Sequence, residues 1–177
     1  PKPDRWPMSD ESFSSVFGTL DIAATTLRLL AHPNIASKES IIRRYDHEIG
    51  GATLVRPIIG AQNDGHADGV VLVDPLSSSG IAVGIGVNPW MGIIDAERMA
   101  LAVVDEAMRN VVAVGADPRT VALLDNFSWG DPQRPTTLGE LVAAVDGCCQ
   151  AARAFGAPFV SGKDSLNNEY FGSDNQR

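Results

Sequence analysis

The run Ser161-Gly162-Lys163-Asp164-Ser165 sets an ammonium, a carboxylate and a hydroxyl directly after a glycine, at the end of the apolar pair Phe159-Val160. That composition suits a strand end handling a phosphate and its metal, because glycine permits close backbone approach and lysine supplies positive charge. It is not a P-loop. GxxxxGK[ST] fails because Gly156 lies six residues before Gly162 rather than five, and Asp164 stands where Ser or Thr belongs. A dinucleotide fingerprint is absent too, since Gly84 and Gly86 sit inside a β-branched run with no third glycine at the right offset. Any site must therefore be assembled from segments far apart in the chain.

Three other segments offer chemistry, each beside a plainer reading. Glu106 and Asn110 are one helical turn apart, a spacing that can hold a cation between a carboxylate and an amide oxygen. Glu106 also borders a charged stripe, where solvation alone would explain it. Asn110 falls among Met99, Val103 and Val114 on the helical wheel, and a buried amide requires partners. Asp68 closes a polar loop before an apolar strand, a place where aspartate commonly satisfies turn amides. Asp125 ends another apolar strand, where ligands gather and where a cap serves equally well. His47 and His66 stand beside acidic residues, as surface histidines often do, and His32 precedes a proline turn. No HExxH, CxxC or nucleophile elbow occurs.

Elements that would position these residues are legible from period and punctuation. Phe13, Val16, Phe17, Leu20, Ala24, Leu27 and Leu30 predict a helix after a proline-rich arm, ending at His32-Pro33-Asn34. A short helical turn from Ser37 leads to extended chain over 52–59, a polar loop, and a strand from Val70 to Val73. Along 80–88, Ile81, Val83, Ile85 and Val87 alternate with Ala82, Gly84, Gly86 and Asn88. The second face is almost bare, which predicts a seam against another layer. The pattern from Asp95 to Val114 predicts a helix covered on most sides, stopped by Gly115. Val121 to Leu124 predicts a strand. Thr137 with Glu140 reads as a capping box for a helix packed through Leu138, Leu141, Val142, Val145, Cys149, Ala152 and Phe155 and ended by Gly156.

Bulk properties narrow the class. The 177 residues, 44% apolar and 20% charged, suit one domain with an appendage. A net charge of -8 excludes the basic footprint of nucleic-acid binding and attraction to an anionic membrane surface. Phosphate binding would then need a divalent metal or amide dipoles to offset the protein's own field. Adjacent Cys148 and Cys149 read as packing residues and point to a reducing cytoplasm. No signal peptide or membrane-length apolar run is present. A start at Pro1 and a polar tail point to a piece of something longer.

Seven segments in order carry a resemblance: Tyr45-Asp46-His47-Glu48; Asp68-Gly69; Asn88-Pro89; Glu106-Ala107-Met108-Arg109-Asn110; Ala113-Val114-Gly115-Ala116-Asp117-Pro118; Leu124-Asp125-Asn126-Phe127; and Ser161-Gly162-Lys163-Asp164-Ser165. Over residues 13 to 170 the chain resembles the synthetase component of phosphoribosylformylglycinamidine synthase, at the first α/β subdomain of its second half. That family belongs to the aminoimidazole ribonucleotide synthetase superfamily. The resemblance implies an α+β fold of that superfamily's N-terminal domain, a mixed sheet with helices on one side that pairs into a barrel across a dimer or pseudo-dimer. Domains at 1–37, an arm and linker helix, and 38–177, an ATP-binding subdomain, are expected.

The implied reaction converts formylglycinamide ribonucleotide, ATP and glutamine-derived ammonia to formylglycinamidine ribonucleotide in purine biosynthesis. The resemblance implies magnesium ligands at Asp68, Glu106, Asn110 and Asp164, and nucleotide or substrate contacts at Ala67, Asp125, Gly162, Lys163 and Ser165. Short forms carry Asn where this chain has Lys163, which makes Asp164 the better metal ligand. The implied cofactors are Mg2+ and ATP, or ADP in an auxiliary site. Implied partners are the rest of the synthetase, a glutaminase domain or subunit, and a second copy of the chain; no catalytic residue is expected here, so the isolated piece would be inactive. A structural module with an auxiliary, non-catalytic nucleotide site stays open as the alternative.

Overall fold

The computed structural model describes residues 20–170. The arm at 1–12 and the first turns of the expected first helix lie outside them. Two compact units meet between Ile81 and Ala82, so the 37/38 boundary falls inside the first unit. That unit opens with α1 (Ile22–Leu30), capped by the Asp21 carboxylate, which accepts from the Ala24 N–H at 3.0 Å. A short α2 (Glu39–Ile42) follows. The extended stretch then breaks at Arg56-Pro57 into β1 (Thr53–Val55) and β2 (Ile58–Ile59). Proline cannot donate to a ladder, which accounts for the break. β2 pairs antiparallel with β3 (Gly65–His66), and β1 pairs antiparallel with β4 (Gly69–Val73). β5 (Gly80–Gly84) completes the sheet order β1-β4-β5, and the chain enters the second unit within it.

The second unit is built on two long helices. α4 (Ala96–Ala113) is capped by Asp95, whose carboxylate accepts from the Arg98 N–H at 3.0 Å, and Gly115 leaves it at φ +103°. Before it lies α3 (Pro89–Ile94), which the periodicity did not reveal. Its signal was present in Asn88, whose side chain caps the Met91 N–H, and in Pro89 at the first helical position. β6 (Leu123–Ser128) and β7 (Phe159–Ser165) pair in parallel and are joined by α5 (Pro135–Phe155). Parallel strands require such a crossover. Parallel and antiparallel ladders thus both occur, in separate sheets rather than one mixed sheet.

The bare face of the β5 segment meets α4. A Cβ at Gly84 would lie 2.5 Å from the Val111 nitrogen and 2.8 Å from the Ala107 carbonyl oxygen, and one at Gly86 would overlap the Val103 carbonyl. The predicted seam is therefore real, and the layer is a helix of the same unit. On its other side α4 packs Ala96, Ala100, Val104 and Met108 towards α5, β6 and β7. Burying Val104, Met108 and Leu123 contributes about 1.5–3 kcal/mol each.

For α5 the expected packed face is corrected. Its buried residues are Thr137, Ala144, Gly147 and Ala151, whereas Leu138, Val142 and Val145 remain exposed. Small residues win because the helices approach closely: a Cβ at Gly147 would overlap the Glu97 carbonyl oxygen and sit 2.9 Å from the Ala100 Cβ. The capping box is corrected too. The helix begins at Pro135 without a side-chain cap, and Thr137 lies inside it, accepting from Arg134 Nε at 3.1 Å. Gly156 ends it at φ +66°, as expected.

Two glycine substitutions separate packing from propensity. Gly86→Ala should destabilise the protein by about 1–3 kcal/mol, because the helix backbone cannot yield like a side chain. Gly139→Ala, which faces open space inside α5, should stabilise it by about 0.5–1 kcal/mol. Urea midpoints moving in opposite directions would bear this out.

Candidate active-site strand ends

β7 does not stop at Gly162; its ladder with β6 continues through Asp125↔Gly162, Phe127↔Asp164 and Ser128↔Ser165. Strand alternation therefore divides the phosphate-like cluster. Gly162 and Asp164 share one face, and Lys163 and Ser165 share the other, where the Lys163 amine donates to the Ser165 hydroxyl. Sequence proximity suggested one grip, whereas the structure makes two.

On the first face the Asp125 carboxylate occupies the place a side chain at position 162 would need. A Cβ there would come within 2.5 Å of its Cγ and 2.6 Å of Oδ2. Burial, first, and then a hydrogen bond and charge repulsion from Asp164 push the Asp125 carboxyl above its ordinary value. Two neighbouring carboxylates repel when both are ionised, which favours a proton or a cation between them. A divalent cation bound by oxygen would replace that proton, and the pair fits such an ion. Behind Asp125 lies a cavity of about 200 Å³ lined by Phe127, Val145, Cys148, Cys149 and Phe159. Burial, with Asp125 and Cys149 nearby, raises the Cys148 thiol, which suits packing rather than nucleophilic use.

Glu106 and Asn110 project together, as their spacing predicts, onto chain that has just left β5. Glu106 accepts from the Val87 N–H at 2.9 Å, and the Asn110 amide donates to the Ile85 carbonyl at 2.7 Å. The partner that a half-buried Asn110 required is thus a backbone carbonyl. Both side chains satisfy polar backbone that no strand covers. Among the described residues, no three or more His, Cys, Asp or Glu side chains are grouped to hold a metal. Ala67 and Asp68 belong to the first unit, where the Ala67 N–H donates to Pro57 at 2.9 Å and Asp68 lies exposed between β3 and β4.

Two residues with no role in the sequence reading also stand at these strand ends. Arg134, preceding α5, and Glu169, following β7, form a two-pronged ion pair, with Nη1 donating to Oε2 at 2.7 Å. They are 35 residues apart, and nothing local in sequence links them.

Residues 65–173 match the family described as AIR synthase related protein, N-terminal domain. The chain is 40% identical over 156 residues to the phosphoribosylformylglycinamidine synthase subunit PurL of Deinococcus radiodurans, covering 88% of this chain and 20% of that protein. It is 36% identical over 156 residues to the PurL of Methanocaldococcus jannaschii, covering 84% and 19%. In structure it resembles PurLQS from Thermotoga maritima, with a TM-score of 0.62, 26% identity, and coverage of 76% of this chain and 21% of that one. It also resembles T. maritima PurL complexed with ATP, with a TM-score of 0.60, 25% identity, and coverage of 77% and 21%. The chain spans about a fifth of the length of these relatives. These matches bear out the resemblance carried by the seven segments: the chain belongs to the AIR synthase related protein family, of which it carries the N-terminal domain.

Proposed function

We propose that this domain binds the phosphates of a magnesium nucleotide within an ATP-dependent carbon–nitrogen ligase, the synthetase that makes formylglycinamidine ribonucleotide from formylglycinamide ribonucleotide and glutamine-derived ammonia. The observation that carries this reading is the Asp125 carboxylate seated over Gly162 and close to Asp164, within the carboxyl-terminal half of a parallel strand pair. Ligands of open α/β sheets gather towards the carboxyl ends of strands. Support comes from relatives named as PurL and from T. maritima PurL complexed with ADP and with ATP.

Asp125 and Asp164 would hold the metal, which when bound offsets phosphate charge that this acidic chain would otherwise repel. Lys163 and Ser165, on the opposite face, would meet a different part of the ligand. Glu106 and Asn110 keep the 85–87 segment in place. The ligation chemistry belongs to the longer synthetase together with its glutaminase domain or subunit, and this domain alone is inactive.

A second role in assembly is favoured by the outer row of β5 and its continuation. Ile81, Ile85 and Val87 are 69%, 64% and 69% exposed, opposite the face that α4 covers. An apolar row of that kind suits pairing with a second such domain into a barrel.

Three outcomes test these readings. In the full-length protein, magnesium nucleotide at a hundredfold excess over its dissociation constant should raise stability by about 2.7 kcal/mol, and Asp164→Asn should remove that gain in thermal melts. Equal gains with and without the substitution would refute the metal assignment. A raised Asp125 holds its proton more tightly folded than unfolded. Stability should therefore fall as pH climbs from the ordinary aspartate range through the raised value, with the loss complete above it. Asp125→Asn should flatten that slope, and magnesium chloride should oppose it near neutrality. For assembly, sedimentation of the isolated domain should show self-association that Ile85→Asp weakens; a wild-type monomer at high concentration would count against pairing between copies.

A further inference from the structure

Beyond their ladder, β6 and β7 are joined by a second set of bonds that zips together the loops leaving them. The Trp129 N–H donates to the Ser165 carbonyl at 2.8 Å, the Asn168 N–H to the Trp129 carbonyl at 2.8 Å, and the Asn167 N–H to the Gly130 carbonyl at 3.1 Å. The Asn168 amide donates to the Ser128 hydroxyl at 2.5 Å. The Arg134–Glu169 pair closes this zipper, and Glu169 also accepts from the Asp131 N–H at 3.3 Å. A Cβ at Gly130 would overlap the Glu169 carboxylate, so that glycine makes room for the pair.

Side chains of Arg134 and Glu169 are only 27% and 16% exposed. Fork-to-fork guanidinium–carboxylate pairing in such a partly dry place has more geometric force than the usual surface ion pair. The clasp borders packed structure on one side, where Trp129 of the same loop packs against the Ala96, Ala100 and Ala144 cluster and both Trp129 and Arg134 donate to the buried Thr137. On the other side it restrains the loops that follow Ser128 and Ser165, and loops are ordinarily more mobile than the strands they leave.

We propose that Arg134 and Glu169 are positioning residues that clasp the two loops after β6 and β7 and thereby hold Asp164 in the geometry that receives the metal-bound phosphates. This rests on the nucleotide reading above. The clasp touches no ligand; it acts through Ser165, whose carbonyl is pinned to Trp129, and through the register that places Asp164 beside Asp125. Supporting groups of this kind typically contribute about 10–100-fold to the affinity of the site they orient.

The test uses the full-length protein, with magnesium ATP as probe and with affinity and ligand-free melting temperature read in parallel. Glu169→Ala and Arg134→Ala should each weaken magnesium ATP binding about tenfold. The double variant should be no weaker than either single one, because the two groups act as one unit. Glu169→Gln, which keeps an acceptor for the Asp131 N–H and the shape of the side chain, should fall between, and it serves as the reading variant where Glu169→Ala does not fold. A purely structural role would lower the melting temperature of Glu169→Gln and leave its ATP affinity within twofold of wild type. That result, with Asp164→Asn still abolishing binding, would overturn the clasp and leave the nucleotide reading standing. Should Asp164→Asn bind magnesium ATP normally, or the wild type not at all, the nucleotide reading fails and the clasp falls with it.

Discussion

Direct backbone contact between β5 and α4 is the constraint on which the second unit depends. With no side chains on Gly84 and Gly86, the strand lies against the helix main chain at Val103, Ala107 and Val111. That closeness brings the Ile85 carbonyl and the Val87 N–H within reach of Asn110 and Glu106, so chain beyond the ladder is held by side chains of the helix it touches. The opposite face of α4 is then free to pack on α5 and the parallel strands. The larger side chains, Ile81, Val83, Ile85 and Val87, then lie on the opposite face and form an exposed row.

The same economy of side chains recurs between the helices. Ala100 and Ala144 meet where Gly147 fits against the Glu97 carbonyl, so the large residues of α5 lie off the contact. Close helices fix the α5 crossover, and the crossover fixes the register of β6 with β7. Register is what seats Asp125 over Gly162 and brings it beside Asp164. The charge of the site thus follows from packing: a carboxylate held half out of water beside another takes up a proton or a cation.

Strand alternation decides how the polar cluster is used. Lys163 and Asp164 are neighbours in sequence yet lie on opposite sides of a two-stranded sheet. The Arg134–Glu169 pair joins the two polar loops that leave these strands.

Much was legible in the residues alone. The bare glycine face announced its seam because a missing Cβ has few other uses in a strand, and Asp95, Gly115 and Gly156 marked helix ends through local backbone chemistry. Seven ordered segments sufficed for the family. Packing partners were not legible: hydrophobicity pointed to Leu138, Val142 and Val145 as the buried face of α5, whereas closeness of approach chose Ala144, Gly147 and Ala151. Nor could spacing show that Glu106 and Asn110 would meet backbone groups, or that β7 would run past Gly162 and split Lys163 from Asp164. Those outcomes, like the pairing of Arg134 with Glu169, depend on distances between segments that local sequence does not encode. Local propensity is set within a few residues, while register and contact are settled only when the whole unit closes.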